Sequence, residues 1–203
     1  GVETWDDAKR CAELFRQHTG RIDGILVCLP NFGDEKGVAD TVKLSGLHVP
    51  ILVQAYPDDL DQFSVERRRD AFCGKVSACN NLRQYGFAFT LTDLHTVHSL
   101  TPEFRQDLEK FLGVCRITNG LRTARLGAIG ARPGAFNTVR YSEKLLQAHG
   151  MSVQTLDLSE VLGWVQRLPE ADARVDKKLA DIKAYADYGS VPPPSLVKMA
   201  RLG

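Results

Sequence analysis

The side chains best suited to holding a small polar substrate stand just after the first three apolar runs of the sequence. Asn31, Phe32 and Asp34 follow the first run, Tyr56 follows the second, and His95 follows the third. Amide, carboxylate, phenol and imidazole groups exchange hydrogen bonds with polar ligands, and an aromatic ring packs against an apolar ligand face. We therefore predict that these five side chains form a binding cleft for a small molecule.

Structural roles compete with this prediction. Asn31 and Asp34 each stand where a residue caps the next helix, and we expect one of them to do so. Asp58 is a further candidate for the same cleft as Tyr56. His95 and His98 have a spacing that suits a shared metal on a helix, but DLHTVHSL is typical of a loop. Hydrogen bonding by His95 is therefore favoured over metal ligation.

A glycine-containing turn raises the question of nucleotide binding. Gly127, Gly130 and Gly134 follow an apolar run, as in a dinucleotide-binding enzyme, but their spacing does not match G-x-G-x-x-G. No P-loop Gly-Lys-Ser/Thr is present, and Pro133 lacks an amide hydrogen for a phosphate. The sequence disfavours a nucleotide-dependent enzyme. It favours a strand-to-helix turn at the carboxyl edge of a sheet, where ligands bind in open α/β folds.

The elements that position these residues alternate between strand and helix, which predicts an α/β fold with parallel sheets. The runs 25–29, 51–55 and 126–129 are predicted to be buried strands, and FAFTLT a third strand of the first sheet. Helices are predicted over SVERRRDAF, GKVSACNNLRQYG and FNTVRYSEKLLQAHG, among others. Thr4 and Thr101 are expected to cap helices, the latter with Pro102 in the first turn.

The pattern restarts once along the chain, which predicts two Rossmann-like, flavodoxin-like units. We place the first α/β domain at residues 1–115 and the second at 116–203. The first is expected to lack its opening strand and the second to be incomplete at its carboxyl end, because two strands make a poor core. The alternative is a complete but irregular domain.

Composition limits the partners and the compartment. The net charge is +1, so nothing favours nucleic acid or an anionic membrane surface as a partner. No apolar run approaches the roughly 18–20 residues that span a bilayer, and no signal-peptide pattern is present. The five cysteines are odd in number and Cys28 lies in an apolar run. We expect a reduced cytoplasmic protein with a buried Cys28 and no disulfide.

Four stretches taken together, in the same order along the chain, are far more specific than any single motif. They are IDGILVCLPNFGDE, RRDAFCGKVSACNNL, LHTVHS and LGAIGARPGAFNTVRYSEKLL with the later DLSEVLG. Together they resemble the amino-terminal part of L-fucose isomerase-like proteins, within the L-fucose/L-arabinose isomerase group. The resemblance covers nearly the whole chain.

The resemblance implies a metal-dependent ketol isomerase that interconverts an aldose and a ketose, such as L-fucose or L-arabinose, with Mn²⁺ as the metal. It implies a homo-oligomer whose active sites lie at subunit contacts, and metal ligands beyond Gly203. By this resemblance the present chain shapes the sugar pocket, binds no metal and is inactive by itself. The alternative is a non-catalytic sugar-binding or regulatory α/β module.

Overall fold

The computed structural model describes all 203 residues and contains eight α-helices and five β-strands. The chain divides into two compact units, Gly1–Arg122 and Thr123–Gly203. The helices are α1 (Trp5–Gln17), α2 (Gly37–Ser45), α3 (Ala71–Gln84), α4 (Pro102–Leu121), α5 (Glu143–Ala148), α6 (Leu158–Arg167), α7 (Ala173–Tyr185) and α8 (Pro193–Leu202). None of them is both long enough and apolar enough to cross a bilayer.

The first unit is built on a three-stranded parallel sheet of order β1-β2-β3. Its strands are β1 (Ile25–Leu29), β2 (Ile51–Ala55) and β3 (Thr90–Leu91). The second unit has a two-stranded parallel sheet of β4 (Arg125–Ile129) and β5 (Ser152–Leu156). The predicted α/β class with two Rossmann-like parallel-sheet units is confirmed.

Two helix starts form as their sequences predict. Thr4 accepts a hydrogen bond from the Asp7 amide, and the Asp7 carboxylate accepts one from the Thr4 amide in return, so a capping box opens α1. Thr101 accepts a hydrogen bond from the Phe104 amide, and Pro102 is the first residue of α4. These local signals fix where α1 and α4 begin, independently of tertiary packing.

Helices cover the two faces of the first sheet unequally. One face carries Ile25, Val27, Ile51 and Val53, which pack with buried residues of α2 and α3. On the opposite face the packed cluster consists of Leu52 from the central strand and Phe111 and Cys115 from α4. Burial is therefore complete along β2, all of whose residues are buried, and partial along β1.

The expectation of a buried Cys28 is wrong. β1 lies at the edge of the sheet, and its side chains alternate between buried and exposed. Cys28 and Leu26 point to the same side as Leu52, where α4 packs on the central strand, and both remain exposed. All five cysteines are free thiols, and partial desolvation by the neighbouring protein raises the pKa of the Cys28 thiol although its residue is exposed.

The prediction of a buried strand at 126–129 is also wrong with respect to burial. β4 forms, but Leu126 is 42% exposed and Ile129 is 64% exposed. In a two-stranded sheet each strand is an edge, and no helix of this unit packs a buried cluster onto it. The buried residues of this unit are on the paired helices α7 and α8: Val175, Leu196 and Ala200.

Three predicted elements are shorter in the structure. The segment SVERRRDAF forms turns, and the helix begins only at Ala71. FAFTLT contributes a strand of two residues, Thr90–Leu91. The helix predicted over 136–150 is limited to Glu143–Ala148, preceded by a single 3₁₀ turn, Asn137–Val139.

Candidate functional site

The candidate site lies at the carboxyl edge of the first unit's sheet. Because β1, β2 and β3 are parallel, the segments that leave them start at the same edge. These segments carry all five predicted binding residues. They are the loop 30–36, the loop 56–70 and the loop 92–101.

A cavity of about 550 Å³ lies beside β1. All five residues of β1 line it, and so do Asn31, Phe32 and Asp34 from the loop that follows. Apolar residues of α1 and α2, including Phe15 and Val42, form much of its remaining wall. The lining also includes the polar residues Glu3 and Thr41, and a largely apolar cavity with a few polar groups has the general form of a small-molecule site.

Asp34 and Asn31 divide the roles that the sequence left open. One carboxylate oxygen of Asp34 accepts hydrogen bonds from the amides of Lys36 (2.7 Å) and Gly37 (3.2 Å), so Asp34 holds the turn that leads into α2. The Asn31 side-chain amide donates to the carbonyl of Phe32 at 2.6 Å, which holds the turn in shape. Neither residue occupies the N-cap position of α2, which is Lys36, and Asn31 keeps a side-chain oxygen available to a ligand.

The same loop packs against the backbone of α3 at a glycine. A Cβ atom placed on Gly74 would lie 3.1 Å from the Phe32 Cα and 3.4 Å from the Asn31 carbonyl oxygen. The Phe32 amide donates to the carbonyl of Arg69 at 2.7 Å. Phe32, 41% exposed, is thus fixed through its backbone while its ring stays accessible.

Asp58 has a structural role instead of a free position in the cleft. One of its carboxylate oxygens accepts the amides of Arg69 (2.6 Å) and Asp70 (3.2 Å). Asp70 adopts a left-handed backbone with φ of 50°, which is unusual for a residue other than glycine. The Asp58 carboxylate therefore holds the turn that leads into α3, and this turn replaces the helix predicted there.

Tyr56 connects the second loop to the third. Its hydroxyl shares a hydrogen bond with the Ser99 hydroxyl, and its ring meets the His98 ring edge-on with centroids 5.0 Å apart. His98 Nδ1 accepts the amide of Leu100 at 3.2 Å. Tyr56 and His98 thus support each other's orientation, and both lie on the segments that leave the carboxyl edge of the sheet.

His95 is exposed and is held by groups on α3. The centroids of the His95 and Phe72 rings are 5.2 Å apart. The backbone carbonyl of His95 accepts a hydrogen bond from the Lys75 ammonium at 2.9 Å. The imidazole itself makes no hydrogen bond within the protein, so both of its nitrogens are available.

Only three of the five predicted binding residues line the cavity beside β1. Asn31, Phe32 and Asp34 line the cavity, whereas Tyr56 and His95 lie on the neighbouring loops and do not line it. Sequence reasoning missed Lys75 and Phe72. The available signal was the lysine in GKVSAC, a segment of mostly small and apolar residues that is typical of a buried helix face. A charged residue is almost never fully buried without a partner, so a buried lysine there indicates a specific partner.

The residues present do not fit a resident divalent cation. Such an ion needs several converging oxygen or imidazole ligands, and no three His, Cys, Asp or Glu side chains are grouped to hold one. Asp34 and Asp58 each accept backbone amides already.

The glycine-containing turn of the second unit is organised around a cation. The two N–H groups of Arg132 Nη1 are shared among four acceptors at 3.0–3.2 Å: the carbonyls of Pro133, Gly134 and Phe136 and the Asn137 side-chain oxygen. A phosphate cradle needs backbone N–H groups directed inward, and here carbonyl oxygens are. Gly130, with φ of 72°, makes the turn that ends β4.

Comparison with known protein families identifies the first unit. The sequence model described as fucose/sulfoquinovose isomerase, N-terminal domain, matches residues 1–122. No curated protein matches the chain significantly. The matched residues are the same as those of the first compact unit, Gly1–Arg122.

Proposed function

Because the chain belongs to the fucose/sulfoquinovose isomerase family, we propose that the full-length protein is an aldose–ketose isomerase in which the first unit binds the sugar. The observation that carries the proposal is the coincidence of the family match with a compact unit that has a cavity and polar loops at its sheet edge. The substrate we propose is a pentose or 6-deoxyhexose, with L-fucose and L-arabinose as the first candidates.

The proposed contacts follow from the free groups at the sheet edge. The Asn31 side-chain oxygen and the His95 nitrogens exchange hydrogen bonds with sugar hydroxyls, and the exposed Phe32 ring packs on the apolar C–H face of the sugar. Asp34, Tyr56 and Asp58 keep the loops in place. Binding energy from such remote contacts is used to orient the reacting carbons.

The isomerisation moves a proton between adjacent carbons and exchanges a carbonyl with a hydroxyl. We propose that a divalent cation, Mn²⁺, serves this reaction and is held by residues other than those of this chain. By this proposal the 203 residues alone do not turn over sugar. A cytoplasmic homo-oligomer, with the first unit closing on a neighbour's active site, completes the proposal.

The test is the KM for L-fucose and L-arabinose in the full-length protein with Asn31→Ala or His95→Ala. Loss of one hydrogen bond, worth about 0.5–1.5 kcal/mol, predicts a KM raised roughly two- to twelvefold. His18→Ala is the matched control. His18 is exposed at the end of α1, just before the chain enters β1 at the amino edge of the sheet, and the candidate site lies at the carboxyl edge. An unchanged KM in both site variants would refute the proposed contacts.

A further inference from the structure

Lys75 is a buried lysine whose ammonium is directed at the loop that carries His95. Lys75 is 4% exposed, and its Nζ donates hydrogen bonds to the Thr92 hydroxyl at 2.8 Å and to the His95 carbonyl at 2.9 Å. The Thr92 hydroxyl in turn donates to the carbonyl of Leu94 at 2.7 Å. One ammonium therefore holds the His95 carbonyl directly and the Leu94 carbonyl through the Thr92 hydroxyl.

The same helix face also holds the His95 ring. Phe72 and Lys75 are three residues apart on α3, so their side chains project on the same side of the helix. Phe72 contacts the imidazole and Lys75 binds the carbonyl of the same residue. His95 is thus held at its ring and at its backbone by one rigid element, while its ring nitrogens stay free.

Other anchors hold the loop but do not act on His95 itself. The Asp107 carboxylate of α4 accepts the amide of Asp93 at 3.2 Å, and the Gln54 side chain of β2 donates to the carbonyl of Val97. Burial lowers the pKa of Lys75, and the nearby carboxylate of Asp107 partly offsets this. The ammonium is thus kept in a position where burial disfavours its charge.

We propose that Lys75 is a positioning residue for the substrate site, which sets the orientation in which His95 presents its imidazole to the sugar. This inference rests on the proposed function, because it assumes that His95 contacts the substrate. Lys75 acts through His95 and touches no substrate atom. The ammonium is retained at a buried position because it orients this loop.

The test compares Lys75→Met with Lys110→Met. Methionine keeps the length and packing of the side chain and removes the donor. Lys110 is exposed and pairs with Asp93 of the same loop at 2.7 Å, so its replacement removes the same charge nearby without touching His95. The first readout is the set of five histidine ring signals in two-dimensional NMR of the 203-residue chain, assigned by single His→Gln variants.

We expect Lys75→Met to move the His95 ring signal and leave those of His18, His48 and His149 in place, and Lys110→Met to leave His95 nearly unchanged. Lys75→Arg should lie closer to the wild type than Lys75→Met. In the full-length enzyme, Lys75→Met should raise KM about three- to tenfold and change kcat less, the pattern of a lost substrate contact.

Failure of the Lys75 inference and failure of the proposed sugar contact give different results. An unmoved His95 signal in Lys75→Met overturns the inference, and so does an equal shift of all five histidine signals, which would mean a change in the whole fold. If His95→Ala leaves KM unchanged while Lys75→Met still moves the His95 signal, the proposed sugar contact has failed. The positioning role of Lys75 for substrate then fails with it, although the loop geometry stands.

Discussion

Replacement of Gly74 by alanine tests the packing that holds the Asn31–Phe32 turn. The new Cβ would lie 3.1 Å from the Phe32 Cα and 3.4 Å from the Asn31 carbonyl oxygen, both backbone atoms. Backbone cannot swing aside as a flexible side chain can, so the turn must move by a few tenths of an ångström. The Phe32 amide, held at 2.7 Å to the Arg69 carbonyl, would be strained in consequence.

Two opposing effects set the magnitude. Overpacking of this kind costs about 1–3 kcal/mol. Alanine in a helix interior gains about 1 kcal/mol over glycine, so we expect a net loss of stability of about 0–2 kcal/mol. Gly113→Ala on α4 is the matched control, because its Cβ meets nothing within 4 Å, and it should stabilise the first unit by about 1 kcal/mol.

Amide hydrogen exchange measures both variants within the intact chain. The slowest amides of β2 report the stability of the first unit, and the Phe32 amide reports the turn. A gap of about 1–3 kcal/mol between the variants corresponds to roughly five- to 150-fold in exchange rate. Equal stabilisation by both alanines, with Phe32 protection unchanged, would refute the close contact between α3 and the turn.

Two further predictions concern acid stability and thiol chemistry. The Arg174 guanidinium and amide lower the pKa of Asp172 from 3.8 to about 2, so its contribution to the second unit is complete above pH 4 and is lost as the pH falls towards 2. An NMR titration midpoint of the Asp172 carboxyl near 3.8, or an Asp172→Asn variant with the same acid unfolding curve, would contradict this. For the thiols, we expect five titratable groups under denaturing, non-reducing conditions, with exposed Cys28 and Cys73 reacting first in the native protein and buried Cys115 last. Three or fewer thiols, or early reaction of Cys115, would count against the structure.

Local sequence signals predicted the α/β class and the ends of several helices. Apolar runs of strand length at 25–29 and 51–55 gave both strands at their observed positions, because parallel strands in an α/β sheet are apolar throughout. Thr4 and Thr101 capped the helices they were expected to cap, since these hydrogen bonds involve only residues three positions apart.

Features that depend on distant contacts were not predictable. The exposure of Cys28 follows from the edge position of β1, which the run of apolar residues does not reveal. The turn before α3 depends on Asp58, eleven and twelve residues earlier, and the short α5 follows a loop wrapped around Arg132. The burial of Lys75 against the 92–95 loop likewise needs the tertiary structure.

The most direct test of the central claim is proton exchange during sugar isomerisation by the full-length protein. L-fucose and L-arabinose are incubated in D₂O with Mn²⁺, and the ketose formed is analysed for deuterium at the carbon that receives the proton. We predict Mn²⁺-dependent ketose formation with deuterium incorporated, a raised KM in His95→Ala, and no turnover by the 203-residue chain alone. Sugar binding without any ketose formation would favour a non-catalytic sugar-binding module. Turnover by the 203 residues at the full-length rate would place the active site within this chain and contradict the account.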